Sequence, residues 1–130
     1  MKLAIGMTQT ATLVVEPRHT AAAVGSGDLE VFSTPMMAAL MEQAAAAALR
    51  PALPAEKTSV GISLQIAHTS ATPVGMRVEA VATVTKVGGS RVEFSVTARD
   101  EAGEIGSGTH TRVVVDRARF LEKTAAKTTT

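Results

Sequence analysis

Glu42 is the only charged residue between Val31 and Leu49, in a stretch that otherwise reads Met36, Met37, Leu40, Met41 and five consecutive alanines. On a helix its neighbours at spacings of three, four and seven are Ala38, Ala39, Ala45, Ala46 and Leu49. A carboxylate so surrounded is partly desolvated unless a cation or donor pairs with it, and it is a candidate base or nucleophile. The plainer alternative is a side chain that reaches solvent through a gap or forms a structural pair. His68 is the second isolated group, the sole ionisable side chain between Lys57 and Arg77. It shares parity with Val60, Ile62, Leu64 and Ile66, which puts it on the helix-facing side at the end of a strand. A histidine there can meet a group on the helix, or merely satisfy a backbone carbonyl. His110 lies in Gly106-Ser107-Gly108-Thr109-His110, where alternate glycines clear one strand face for a ligand or another chain. His19 falls in an expected loop and carries no signal.

Other chemistries find no support. The chain has no cysteine, which excludes disulfides, thiolate metal sites and cysteine nucleophiles. Its three histidines form no H-x-x-x-H pair, and no glycine-rich phosphate loop joins a strand to a helix, so no metal or nucleotide cofactor is expected. Thirteen basic against twelve acidic residues leave a net charge of +1, and three phenylalanines are the only aromatics. That balance offers neither a surface for a phosphate backbone nor a stacking platform, so nucleic acid is not an expected partner. The first residues, MKLAIGMTQTATLVV, lack a continuous apolar core, so no signal peptide is expected. Ala44 to Leu49 falls far short of the ~20 apolar residues that cross a bilayer. The expectation is a soluble, cytoplasmic protein without a membrane segment.

The elements that would position these groups follow from periodicity. Gln9 to Val15 reads as a first strand ended by Pro17, and the small-residue stretch to Asp28 as a loop. A helix is expected from Thr34 to about Arg50, with Thr34 as N-cap, Pro35 in the first turn, and Pro51 and Pro54 as stops. Being apolar nearly all round, it should be buried. The period then changes to two, through Val60 to Ile66, Met76 to Val84, Val92 to Ala98 and Glu104 to Asp116, with turns at Pro73-Gly75, Gly88-Gly89-Ser90 and Asp100 to Gly103. Short turns imply antiparallel pairing, so the fold class is α+β: about five antiparallel strands around one long helix. Residues 1–122 read as a single domain and 123–130 as a frayed tail. The open edges of such a sheet could be covered by homodimerisation.

This order of elements resembles the hotdog fold, and its details resemble the fluoroacetyl-CoA thioesterase family. The matching residues are Val31-Phe32 through Thr34 with Leu40-Met41-Glu42, Ala67 to Pro73, and Glu104-Ile105-Gly106-Ser107-Gly108-Thr109-His110. The resemblance spans Val31 to Phe120. It implies a homodimer that hydrolyses an acyl-CoA thioester without metal. It places the catalytic threonine, glutamate and histidine on Thr34, Glu42 and His68, and the substrate-contacting glycine and arginine on Gly61 and Arg112. The fluoroacetyl-specific members carry an aromatic lid before the helix, whereas Gly25 to Glu30 here contains no aromatic, which implies another acyl preference. Two functions of different class follow: a thioesterase acting on a small acyl-CoA, or a non-catalytic hotdog module that binds an acyl thioester or small acid.

Overall fold

The structure, a computed structural model, describes residues 2–128. Its elements are β1 (Thr8–Val14), α1 (Ala21–Val24), α2 (Thr34–Leu49), β2 (Lys57–His68), β3 (Arg77–Gly88), β4 (Arg91–Arg99), β5 (Glu104–Asp116) and α3 (Arg117–Ala125). The five strands form one antiparallel sheet in the order β1-β3-β4-β5-β2, curled around α2, so β1 and β2 are its edges. The α+β arrangement read from the periodicity is the one observed. No helix among the described residues is long and apolar enough to cross a membrane.

The core forms where the alternating faces of β3 and β4 meet α2. Val78, Ala80, Ala82 and Val84 of β3, with Val92, Phe94, Val96 and Ala98 of β4, are all buried. They pack on Met37, Leu40, Met41, Ala44, Ala45, Ala48 and Leu49 of α2. Alanine facing alanine lets helix and sheet approach closely, and burial of the larger side chains contributes about 1.5–3 kcal/mol each.

Several expectations are revised. Ser33, not Thr34, caps α2: its hydroxyl accepts from the Met36 N–H at 3.3 Å, and Thr34 becomes the first helical residue. The Thr34 hydroxyl is thereby free for another partner. The stretch from Pro17 to Asp28 is not plain loop, because a 3₁₀ turn at Pro17–His19 leads into α1. His19 is buried within it, its Nδ1 accepting from the Glu16 N–H at 2.9 Å. The α2 helix is not covered all round; the sheet shields one side and leaves Thr34, Pro35, Ala39 and Gln43 exposed, with Ala38, Glu42, Ala46 and Ala47 half-buried. Gly106 and Gly108 make room within the fold and not for a ligand: a Cβ on Gly106 would sit 2.7 Å from Met37, and one on Gly108 would strike the backbone of Gln65 and Ile66 on β2. Beyond Asp116, whose carboxylate accepts from the Arg119 N–H at 2.9 Å, α3 continues past Lys123 into a 3₁₀ turn ending at Thr128, all of it exposed.

The alternation along β2 also fails at one place. The register against β5 shifts between Gly61 and Ser63, so Ile62 is an extra, half-exposed residue. Such a bulge reverses which parity faces the core. Gly61 faces α2 before it, and Leu64 and Ile66 pack against the core after it.

Candidate active site

Two clusters lie along the uncovered stripe of α2. At its start, Thr34 Oγ1 and His68 Nδ1 are 2.8 Å apart. Ser33 supplies the cap, so Thr34 is left to this bond, and the strand end of β2 brings the imidazole across. Phe32 meets the imidazole edge-on, with ring centroids 6.3 Å apart. His68 Nε2 is buried and makes no hydrogen bond among the described residues. Burial pulls the His68 pKa below its ordinary value, with the Ser70 carbonyl opposing, so the ring is neutral and basic near pH 7. A cavity of about 320 Å³ opens beside the pair, walled by Ala21 and Ser26 from the α1 region, Val31 and Phe32 before α2, and Thr69 to Ala71 after β2. That loop is braced from behind by the buried Thr72 hydroxyl, which donates to the Asp100 carboxylate at 2.8 Å. Burial works against the ionised Asp100, but this bond and those from the Ala102 and Gly103 N–H groups hold its pKa below the ordinary carboxylate value.

Two turns along the helix, Glu42 Oε2 accepts from Arg112 Nη1 at 3.3 Å and lies 3.8 Å from His110 Nε2. The guanidinium is buried and fully engaged: Nε donates to Ser59 Oγ at 2.9 Å, Nη2 to the Ser59 carbonyl at 3.0 Å, and Nη1 also to His110 Nε2 at 3.2 Å. The Glu42 side chain remains 43% exposed. Gly61 is what allows this packing, since a Cβ there would overlap the Glu42 carboxylate and lie 3.1 Å from His110 Cε1. Burial lowers the pKa of Arg112 and Glu42 opposes that shift, a pairing that keeps the guanidinium charged.

The structure therefore brings together Glu42, Gly61 and Arg112, and separately Thr34 and His68. It does not bring Glu42 to His68 within one chain. Thr34 and Glu42 are eight positions apart on a straight helix, about 12 Å along its axis. The imidazole that Glu42 meets is that of His110.

His110 is the residue the sequence reading left out of the site. Its ring is 1% exposed and stacks on Phe94 at 5.9 Å. Nδ1 lies 2.8 Å from the Ser63 carbonyl, which can only accept, so Nδ1 carries the proton. Arg112 can only donate, so Nε2 is an unprotonated acceptor. The ring is thus neutral in one tautomer. Burial lowers its pKa further, the Arg112 charge adds to that shift, and the Ser63 carbonyl and Glu42 oppose it. The signal was present in the sequence: His110 and Arg112 share parity on one strand, so whatever places one inward places the other there too.

Comparison with known proteins agrees with this architecture. The model of the fluoroacetyl-CoA-specific thioesterase family matches residues 15–118. A fluoroacetyl-CoA thioesterase from Streptantibioticus cattleyicolor is 41% identical over 99 residues, which span 76% of this chain and 71% of that protein. Among solved structures, that of the fluoroacetyl-CoA thioesterase FlK superposes with a TM-score of 0.91 at 34% identity, covering 98% of each chain. A thioesterase superfamily member from Thermus thermophilus superposes with a TM-score of 0.90 at 27% identity, covering 98% of this chain and 94% of its own. A curled antiparallel sheet around one helix is shared with these structures, and the family match and identity settle the rest: the chain belongs to the fluoroacetyl-CoA-specific thioesterase family and is a thioester hydrolase of the hotdog fold.

Proposed function

We propose that the chain hydrolyses a small acyl-CoA to the free acid and coenzyme A, as a cytoplasmic homodimer in which each site draws on two copies. The observation that carries this reading is the 2.8 Å contact between Thr34 Oγ1 and His68 Nδ1, with Glu42 held out of reach on the same helix. A two-fold axis near Ala38 would lay two α2 helices antiparallel along their uncovered stripes. Glu42 of one copy then comes beside Thr34 of the other, and the small Ala38 and Ala39 allow the close approach. The unpaired edge of β2 offers a strand for the same two-fold pairing. A coenzyme A ester as substrate, and a chain without cysteine, suit the cytoplasm. Residues 1–122 act as one hotdog domain in this reading.

The chemistry follows from the pair. Thr34 Oγ adds to the thioester carbonyl as its proton passes to His68 Nδ1, and the positive end of α2 favours the developing oxyanion. The imidazolium returns that proton to the departing thiolate, leaving an acyl ester on Thr34. Glu42 of the second copy takes a proton from water as the water oxygen adds to the ester carbonyl. It then gives that proton to Thr34 Oγ as the bond to the acyl carbon breaks, releasing the acid and restoring both side chains. Gly61 leaves the space in which Glu42 sits, and Arg112 fixes its orientation. The lid segment Gly25 to Glu30 carries no aromatic ring, which supports an acyl group other than fluoroacetyl. The test is release of free thiol from short, branched and aromatic acyl-CoAs, run beside Glu42→Gln and His68→Ala. Each substitution should lower turnover by ~10²-fold or more. Near-wild-type turnover in both variants would overturn the reading. Ligand binding with hydrolysis at the background rate would instead establish the non-catalytic binding module.

A further inference from the structure

Beyond Glu42, the uncovered stripe of α2 leads to two arginines that the reaction does not use. Arg50 follows the helix, and Arg117 opens α3. Both line a cleft of about 160 Å³, with Ala46, Pro54, Thr58 and Ser59 among its other walls. Among the described residues no carboxylate lines this cleft, and neither arginine is in an ion pair. The Asp116 carboxylate is used as the cap of α3, accepting from the Arg119 N–H, and the Glu56 backbone carbonyl accepts from the Arg117 N–H at 2.8 Å, which fixes the start of α3 beside the cleft. Arg117 Nη2 also donates to the Lys57 carbonyl at 3.4 Å, which steadies the guanidinium at the rim.

The cleft shares a wall with the Glu42 cluster. Ser59, one of its walls, is the residue whose hydroxyl and carbonyl hold Arg112, and Arg112 holds Glu42. Ala46 lies one turn past Glu42 on α2, and Arg50 lies eight positions past it, about 12 Å along the axis. Past Glu42 and its neighbour Gln43, the uncovered stripe on the way to Arg50 is Ala46 and Ala47, which are small. That separation is on the scale of the pantetheine arm joining a thioester to the phosphates of coenzyme A.

We propose that the cleft between α2, the start of β2 and the start of α3 binds the phosphate groups of the coenzyme A nucleotide, with Arg50 and Arg117 as the charged donors. The inference rests on the thioesterase reading and adds to it the place where the nucleotide end of the substrate lies. Guanidinium groups match phosphate oxygens in geometry and charge, and neither side chain has to be released from a carboxylate first.

The test separates the arm from the nucleotide. Arg50→Ala/Arg117→Ala is assayed with an acyl-CoA and with the same acyl group on N-acetylcysteamine, which has no phosphate. KM for the coenzyme A ester should rise by about tenfold or more while kcat and all constants for the truncated ester stay unchanged. Raising salt should raise KM for the coenzyme A ester in the parent protein and much less in the variant. An unchanged KM for the coenzyme A ester overturns the proposal, and so does a parallel loss with both esters, which would mark a structural defect. The Arg50→Lys/Arg117→Lys protein should recover most of the lost affinity. Calorimetric titration with coenzyme A and with pantetheine reads the same site without turnover. Weaker coenzyme A binding in the alanine variant supports the site even if hydrolysis itself fails, and equal binding refutes it even if hydrolysis succeeds.

Discussion

At the start of α2, Thr34 and His68 form an uncharged pair joined by one hydrogen bond beside an open cavity; two turns on, Glu42 belongs to a charged cluster held from several sides. Arg112 there makes four hydrogen bonds to Ser59, Glu42 and His110, whereas His68 has a buried nitrogen with no partner among the described residues. The difference separates two tasks. In the proposed reaction the group that gives and takes a proton is left with a single exchangeable contact, and the carboxylate that activates water is aimed by one guanidinium, itself fixed by Ser59 and His110. With the two regions about 12 Å apart on one helix, each site of that proposed reaction is completed by a second copy.

The sharpest way to break that division is to damage each region in a different copy. Glu42→Gln and His68→Ala homodimers should each be nearly inactive, yet co-refolded mixtures should recover about a quarter of parental turnover, since a mixed dimer keeps one intact site. No recovery, with mixed dimers verified by mass, would show that the two regions do not meet across copies. Gly61→Ala comes next. The new methyl displaces the Glu42 carboxylate from Arg112, and a misplacement of that size lowers turnover by about 10²-fold while the melting temperature moves little. A matching collapse in stability would mean that Gly61 serves packing alone.

His110 divides the comparison more finely. Gln can present an acceptor to Arg112 where Nε2 stood, whereas Asn can keep only the bond to Ser63. His110→Asn should lose about tenfold in turnover and His110→Gln clearly less, measured with the same thiol assay. Equal losses would make the histidine a packing residue.

Acid should act on both regions. His68 and His110 have folded-state pKa values below the ordinary 6.5, so the unfolded chain binds more protons in mild acid. Their stabilising contribution is complete above about pH 6.5 and is lost as pH falls through the lowered folded values, which thermal melts across that window would record. Turnover should fall in the same direction as His68 loses its capacity as a base. The smallest effect belongs to the helix start, where Ser33→Ala removes the cap at a cost of about 1 kcal/mol by chemical denaturation, with Thr34 still paired to His68.

How much of this was legible from residues alone depended on whether local order decided the matter. Strict alternation in β3 and β4 announced their buried faces, and the isolation of Glu42 and His68 pointed to the two polar clusters on α2. Three features were hidden. The cap fell on Ser33 because either hydroxyl residue before Pro35 could begin the helix, and the choice was made by the fold around His68. The helix looked covered all round because its uncovered stripe is built of alanines, which read as core by composition. The partner of Glu42 was misjudged because His68 faces α2 as its parity implies but two turns away. The pairing of β2 with β5 that sets Arg112 opposite Gly61 and His110 opposite Leu64 is a long-range register, so the shared parity of His110 and Arg112 did not by itself say which helix residue they meet.

That extra residue, Ile62, has a consequence for how the protein can change. Counting from Lys57, the strand keeps step with α2 on odd numbers until Gly61 and on even numbers by Leu64, so a single insertion reconciles two half-strands of opposite phase. Shortening β2 by one residue at this point would turn either Gly61 or His68 away from the helix, silencing one region and sparing its neighbour. The two regions can therefore drift in composition independently, but both face one helix only because of an inserted residue that points half out to solvent.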